Sequence, residues 1–440
     1  MSFHGGIRRR TSSAVAKAGL IALLCAVLLG VLSASAKAQS RTDTLSTRVR
    51  DSLIAAVLAD TLDLDVDTLA LLPPLRALRQ SFTVRPTLRR YSVGEINASE
   101  QASYISWVAR FRRVTLRVDL TPIAYAGDTS TTVERPQVGF NGVSPVSARL
   151  DVPVRSADTL RIFAQSMSFP GALSAIDAQA LRAVGTSTID LDAGAIGVAA
   201  RVGVRYALTQ TIGERGLSVA LRGGVEYDPK PTLTGTDAVS WRGTTVRGGV
   251  GINRVTSAAS LGAMLEMTRS FADSLGGLNL FPGGGAINFD ARAIRFFGQA
   301  SDGFVSVNGF YSRPLDVERP DQPTRLIPVG DFAGVTVSAA KPVGKLTLLP
   351  TLSYFRESSS ASAVVNRLNT RLDARGNTAT AGLGLSIPVG RFLTVTPEVG
   401  GVFGSVGQQV SSQFPRRVFR QSFSDPVRGG WVALEVSITR

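Results

Sequence analysis

The sequence predicts an all-β protein: a transmembrane antiparallel up-and-down β-barrel of about 14 strands, preceded by a short, partly helical N-terminal segment. Three observations carry that prediction. Over most of the 440 residues, apolar and polar side chains alternate with a period of two, which is the mark of strands with one apolar and one polar face. The alternating stretches run to about 10–15 residues, longer than the ~5–6 common in soluble sheets and enough for the ~9–11 that a tilted membrane strand needs. Short turns and longer polar loops take turns between the stretches, as they do in a barrel whose hairpins close tightly on one side only.

The turns set the rhythm. Lys341-Pro342-Val343-Gly344-Lys345 recurs as Ile387-Pro388-Val389-Gly390-Arg391, with the two glycines 46 residues apart. Each copy reads as a tight turn that ends one strand and opens the next. Further short turns fall near Gly213, Thr256 and Ala300, at spacings of 43, 44 and 44 residues up to Gly344. Longer polar loops are expected at 228–238, 271–285, 314–330, 357–376 and 407–429. Strands are then expected near 104–126, 142–154, 159–169, 193–210, 215–228, 239–253, 259–270, 286–298, 303–313, 331–342, 345–357, 377–388, 391–406 and 429–440. Alternation is cleanest in three places: Val114, Leu116, Val118 and Leu120; Leu217, Val219, Leu221, Val225 and Tyr227; and Val432, Leu434, Val436 and Ile438. An inserted stretch, Gly171 to Val184, has helical spacing at Leu173, Ile176, Ala180 and Leu181 and reads as a short helix in a loop.

Ahead of the alternation the chain changes character twice. Residues 1–38 have the form of a secretory signal: a positive start (Arg8, Arg9, Arg10, Lys17), an apolar run from Ala18 to Leu32, and the small-x-small pattern Ala36-Lys37-Ala38 before Gln39. Its five positive charges, Lys37 included, take the formal charge from +15 to +10 in the expected mature chain. Residues 39–102 then read as an N-terminal periplasmic arm or a plug, with 103–440 as the barrel. Within that segment Leu45, Val49, Leu53, Ala56 and Val57 recur at helical spacing. Asp63, Asp65 and Asp67 alternate, but an EF-hand loop counted from Asp63 would need Gly where Thr68 stands and Glu where Pro74 stands.

Composition excludes several chemistries. Cys25 and His4 are the only cysteine and histidine, and both belong to the expected signal. The mature chain would hold no thiol nucleophile, no histidine base and no histidine metal ligand, which rules out the usual serine, cysteine and zinc hydrolases. Glycine pairs such as Gly223-Gly224 and Gly400-Gly401 lack the strand–turn–helix context of a phosphate loop; bends and close backbone approach account for them. The expectation is therefore no enzyme, no cofactor and no metal. Arginines scattered singly along the chain give no reason to expect nucleic acid.

In its signal, its alternating strands and its turn rhythm, the chain from about 103 to 440 resembles the bacterial outer-membrane β-barrel proteins, porin-like channels and transporters among them. The resemblance implies a place in the bacterial outer membrane, contact with its lipid and lipopolysaccharide, and assembly by the barrel-assembly machinery. Members of that class usually end in an aromatic residue, whereas this chain ends Ser437-Ile438-Thr439-Arg440. The function it implies is passage of small solutes whose identity is unknown. A non-transporting barrel used as anchor, adhesin or surface display is the alternative, and a soluble periplasmic β-rich binding protein is a third. The polar faces nominate a set of lumen-facing charges: Arg113, Arg117, Arg201, Arg205, Arg222, Arg247 and Arg292, with Asp119, Glu226, Glu266, Asp290, Glu398 and Glu435. They read either as a positively biased lumen that favours anions or as cross-strand pairs that hold the barrel closed. Tyr206, Tyr227, Trp241, Phe271, Phe281, Tyr311, Phe332, Tyr354, Phe403 and Trp431 are expected near strand ends as interfacial aromatics.

Overall fold

The computed structural model of the chain is a closed barrel of sixteen antiparallel strands in sequence order, with the last paired to the first. It describes residues 75–440 apart from 94–95, 113, 130–137, 155–157, 169–198, 213–216, 229–242, 257, 272–284, 299–302, 316–328, 366–367 and 414–417. The expected signal, the apolar run at 45–57 and the helix expected within 171–184 lie outside the described residues, as do Arg113, Trp241 and Phe281.

The strands are β1 (Leu75–Val93), β2 (Ile96–Arg112), β3 (Val114–Thr129), β4 (Val138–Pro153), β5 (Asp158–Ser168), β6 (Ala199–Ile212), β7 (Leu217–Asp228) and β8 (Gly243–Val255). They continue with β9 (Ala259–Phe271), β10 (Gly285–Phe297), β11 (Gly303–Leu315), β12 (Val329–Val343), β13 (Leu346–Val365), β14 (Leu368–Val389), β15 (Leu393–Gln413) and β16 (Val418–Thr439). The expectation of about 14 strands is thus corrected to sixteen, and the barrel reaches back at least to Leu75 rather than starting near 103. Both added strands have a physical reason. The stretch 104–126 is two strands, β2 and β3, separated by Arg113 alone, and that turn contains no Gly, Pro, Asn or Asp to announce it. β1 carries Arg79, Arg85, Arg89, Arg90 and Pro86 and so looks unlike a strand. The ladder to β16 passes from Val84↔Val436 to Thr87↔Ala433, skipping the proline that has no N–H to give.

At one end every hairpin is tight, with one to five residues between strands. Gly344 and Gly390 hold φ of +63° and +77° in the two Pro-Val-Gly turns. A Cβ at either would meet nothing within 4 Å, so backbone conformation rather than space is what requires glycine there. The turn at Thr256 is closed differently: its hydroxyl accepts the Ala259 N–H at 3.0 Å and donates to the Ala259 carbonyl at 3.1 Å. At the other end two expected loops prove to be ladder. The regions 357–376 and 407–429 are mostly strand, so β13 to β16 are 20–22 residues long against 11–14 for β5 to β11. Their outer parts are rich in Ser, Gln, Thr and Arg and lack apolar alternation, which is why they read as loop.

The faces follow the sequence alternation. Val202, Val204, Tyr206 and Leu208 of β6 are exposed while Gly203 and Arg205 between them are not. On the less exposed face, bulky rings lie flat over glycines of the neighbouring strand. A Cβ on Gly203 would stand 2.5 Å from Phe163, one on Gly334 2.4 Å from Phe310 and 2.7 Å from Phe355, and one on Gly400 2.1 Å from Trp431. Phe310 also packs against Phe332, ring centroids 5.0 Å apart. Phe332 and Trp431 therefore belong to this inner packing and not to an interfacial girdle. Tyr227 and Phe271, by contrast, do sit exposed at strand ends.

Two substitutions separate these glycine roles. Gly334→Ala drives a methyl into two rings and is expected to destabilise by about 1–3 kcal/mol through overpacking, with part of the loss recovered in the double variant with Phe310→Ala. Gly344→Ala is expected to cost about 1 kcal/mol from the left-handed backbone alone, with no recovery from any ring truncation. The urea midpoint of the folded, heat-modifiable band checks both; an unchanged midpoint for Gly334→Ala would refute the packing account.

Candidate functional site

The charged side chains gather on the less exposed face, and they meet across strands. The longest run crosses four strands. Arg205 of β6 bonds to Glu226 of β7 at 2.7 Å, Arg247 of β8 reaches the same carboxylate at 2.6 Å, and Arg247 also bonds to Glu266 of β9 at 2.9 Å. The register makes these contacts diagonal: Arg205 stands directly opposite Gly224, and Glu266 opposite Gly249. A Cβ on Gly224 would lie 2.9 Å from the Arg205 stem, and one on Gly249 3.3 Å from Glu266. The glycines thus clear floor on which long side chains lie down and reach the diagonal partner. Arg205 also stands over the Phe163 ring at 4.8 Å, a cation–π contact.

A second group sits on β2 to β5. Arg117 bonds to Asp119 two residues on at 2.8 Å, the Tyr104 hydroxyl donates to Asp119 at 2.7 Å, and Arg117 donates to the Tyr104 oxygen at 2.6 Å. Asp151 is held between Arg149 at 2.9 Å and Arg161 at 2.8 Å. The Asp151–Arg161 pair is out of water, with side chains 5% and 2% exposed. A third group closes the seam: Arg85 of β1 pairs with Glu398 of β15 across β16, and the Trp431 indole donates to the same carboxylate at 3.2 Å.

The structure brings together six of the nominated residues in such pairs: Arg117 with Asp119, Arg205 and Arg247 with Glu226, and Arg247 with Glu266. Glu398 finds a partner that was not nominated. Asp290 and Arg292 lie on β10 and Arg222 on β7, on the same face. Glu435 is opposite Thr396 in the β15–β16 ladder. Arg113 lies outside the described residues, and of Arg201 only the backbone, in β6, is described.

Sequence reasoning missed Arg85, Tyr104, Arg149, Asp151 and Arg161. Four of them were legible. Arg149 and Asp151 alternate within β4, Arg161 shares the phase of Thr159 and Phe163 in β5, and Tyr104 shares that of Ser106 in β2. Arg85 was hidden because its strand was read as an arm.

No family model matches this chain, and no curated protein matches it. Among solved structures it is similar to OprB of Pseudomonas putida, with TM-score 0.43 and 8% identity over 83% of this chain and 94% of that one. It is similar to an anion-selective porin from Comamonas acidovorans, with TM-score 0.40 and 10% identity over 82% and 100%. OmpT, an outer membrane protein of Vibrio cholerae, gives TM-score 0.37 and 10% identity over 83% and 100%. At these values the likeness says nothing of what this chain carries or binds.

The ion pairs differ in depth, and that difference is measurable. Glu226 is 4% exposed and is shared by two arginines. Glu226→Gln removes the carboxylate charge that Arg205 and Arg247 share in a poorly hydrated place, leaving Glu266 to Arg247, and is expected to destabilise by about 3 kcal/mol. Glu398 and Arg85 are 21% and 25% exposed, so Glu398→Gln is expected to cost no more than about 1 kcal/mol. Urea titrations of the two variants in one detergent check the order; equal losses would contradict it.

Proposed function

We propose that the chain is an integral protein of the bacterial outer membrane whose barrel passes small solutes, with a preference for anions. The observation that carries the membrane reading is the outward face. Every strand contributes at least one large exposed apolar side chain, among them Leu88, Trp107, Val146, Ile162, Leu221, Leu265, Val305, Leu352, Leu383 and Leu434. A belt of that extent in water would far exceed the few hundred Å² of contiguous apolar surface that soluble proteins tolerate. Against lipid chains, and lipopolysaccharide in the outer leaflet, it is at rest. A soluble binding protein would leave it wet. Assembly by the barrel-assembly machinery follows from the same reading.

Closure supports the channel. Sixteen strands enclose a lumen wide enough for an aqueous passage, and the less exposed face is lined with charges. Several of these remain partly hydrated: the side chains of Arg205, Arg247 and Arg85 are 18–25% exposed. The anion preference rests on the arginines of the inward faces. Arg79, Arg85 and Arg89 share one phase of β1, a strand that contains no carboxylate.

A second reading is favoured by one observation, the tall wall of β13 to β16. Strands of 20–22 residues exceed what the membrane requires, and their polar outer ladder suits surface display or adhesion without transport.

Purified full chain in planar bilayers separates the readings. The expected result is stepwise conductance whose reversal potential in a salt gradient has the sign of anion preference, moving toward cations in Arg149→Glu. Cation preference in the parent protein would overturn the selectivity but not the channel. A folded, heat-modifiable barrel that carries no current would overturn the channel, and the display reading would then take its place.

A further inference from the structure

The outward face of the seam changes character just beyond its apolar rows. On β1 the outward phase runs through Phe82 and Leu88 to Arg90 and Ser92, and on β16 it runs back from Ile438 through Leu434 and Val432 to Gly430 and Arg428. Arg90 and Arg428 are both exposed, on the side of the apolar rows away from the tight turns. Register brings them together. Arg90 stands opposite Gly430 and Arg428 opposite Ser92, so the two are diagonal neighbours, about 7–8 Å apart along the backbone. Like charges so placed repel, and beside hydrocarbon water screens them less.

The usual counter-charge is missing from this sector. The strands β15, β16, β1 and β2 hold four carboxylates, Glu100, Glu398, Asp425 and Glu435, and the ladders put all four in the inward phase. Other exposed arginines of the outward face are answered. Arg313 has Asp331 at 3.9 Å, and Arg269 stands over the Phe271 ring at 5.8 Å. The floor between Arg90 and Arg428 is open, since Gly430 carries no side chain. Phe403, opposite Arg428, is 59% exposed and leans over Gly401, where a Cβ would stand 3.1 Å from its ring.

We propose that Arg90 and Arg428 form a discrete outward site for a lipid phosphate, and that its occupant is the phosphorylated glycolipid head group of lipopolysaccharide. The proposal rests on the membrane reading above. Three features select the occupant. A phosphate monoester carries up to two negative charges near neutral pH, which matches two arginines, whereas the diester of a glycerophospholipid carries one. Guanidinium forks bind phosphate oxygens in pairs. Position agrees as well: the site lies on the long-loop side, which faces out of the cell in such barrels. Acyl chains below it would lie along exposed Leu88, Val432 and Val399, and the flat Phe403 ring offers an apolar face to a sugar.

The test uses the full chain, folded in nonionic detergent and scored for heat-modifiable mobility before lipid is added. Bis-phosphorylated lipid A, the same glycolipid stripped of phosphate, and phosphatidylglycerol are each titrated, and protein-bound lipid is counted by native mass spectrometry. The expected result is preferential retention of bis-phosphorylated lipid A, falling about tenfold in Arg90→Gln/Arg428→Gln and less in each single variant. The single variants keep the test decisive should the double one fail to fold. Arg269→Gln, which removes an exposed outward arginine of β9, is expected to leave retention unchanged. Retention unmoved by loss of Arg90 and Arg428 would overturn the proposal. So would an equal fall in Arg269→Gln, which would make the whole rim the binder, or equal retention of phosphatidylglycerol, which would make any anionic lipid sufficient. Failure of the membrane reading would show separately, as a chain that stays folded and soluble without detergent whatever lipid is added.

Discussion

The whole structure depends on the ladder between the first strand and the last. A β-sheet that spans an apolar medium can leave no edge, because each unpaired backbone group in hydrocarbon costs several kcal/mol, of order the penalty for burying an amide without a partner. Here closure runs from Ser81↔Thr439 to Val93↔Val427, and the Gln80 and Arg440 backbones exchange two further bonds at 2.9 and 2.8 Å. β1 is a poor strand by composition, with five arginines and a proline. It is retained because two neighbours supply its hydrogen bonds. The Arg85–Glu398 pair crosses β16 and so links three strands at the seam, where the proline interrupts the ladder.

Inside the barrel the governing relation is between large side chains and missing ones. Adjacent strands stand about 4.8 Å apart, too close for two bulky side chains directly opposite each other to lie flat. The chain resolves this by setting glycine opposite bulk: Gly334 across from Phe310 and Phe355, Gly400 across from Trp431, Gly224 across from Arg205. Glycine weakens an isolated strand, but within a closed ladder it allows rings and guanidinium stems to cover backbone. The diagonal ion pairs are the electrostatic form of the same packing. Charge and shape are therefore not independent here: filling Gly224 or Gly249 would disturb the Arg205–Glu226–Arg247–Glu266 run as much as changing a charge would.

How far this was legible in the sequence depended on which force wrote the signal. Where burial on one face opposed charge on the other, period-two alternation marked strand, but its bounds varied: 215–228 matches β7, the stretch around Val114–Leu120 merged β2 with β3, and the one holding Val432–Ile438 caught only the last part of β16. The positive-φ turns at Gly344 and Gly390 were equally plain, because only glycine and its neighbours serve that geometry. The signal failed where tertiary pairing acts without local chemistry. β3 follows β2 with no Gly, Pro, Asn or Asp between Phe111 and Val114 to mark the change, and β1 is a strand because β2 and β16 flank it. The outer parts of β13 to β16 alternate nothing, since both faces are polar. Candidate charges were found by phase alone. Phase cannot tell that Asp151 would serve two arginines, or that a glycine on the next strand would let Arg205 lie diagonally.

Burial and charge are not divided between sectors of the interior. Asp151, Arg161 and Glu226 are as deeply buried as Ser306, Ser353 and Thr378, so side chains lying along the wall cover one another on charged and uncharged strands alike. Arg205, Arg247 and Arg85 keep 18–25% of their side chains exposed, so each stem covers backbone while its head reaches water. Ion pairs that lie partly in water are weak cross-links, whereas breaking one as buried as Asp151–Arg161 leaves a charge in a poorly hydrated place. The hydrated charges can therefore change with little loss of the wall, and the buried ones together with the glycine-backed rings hold it.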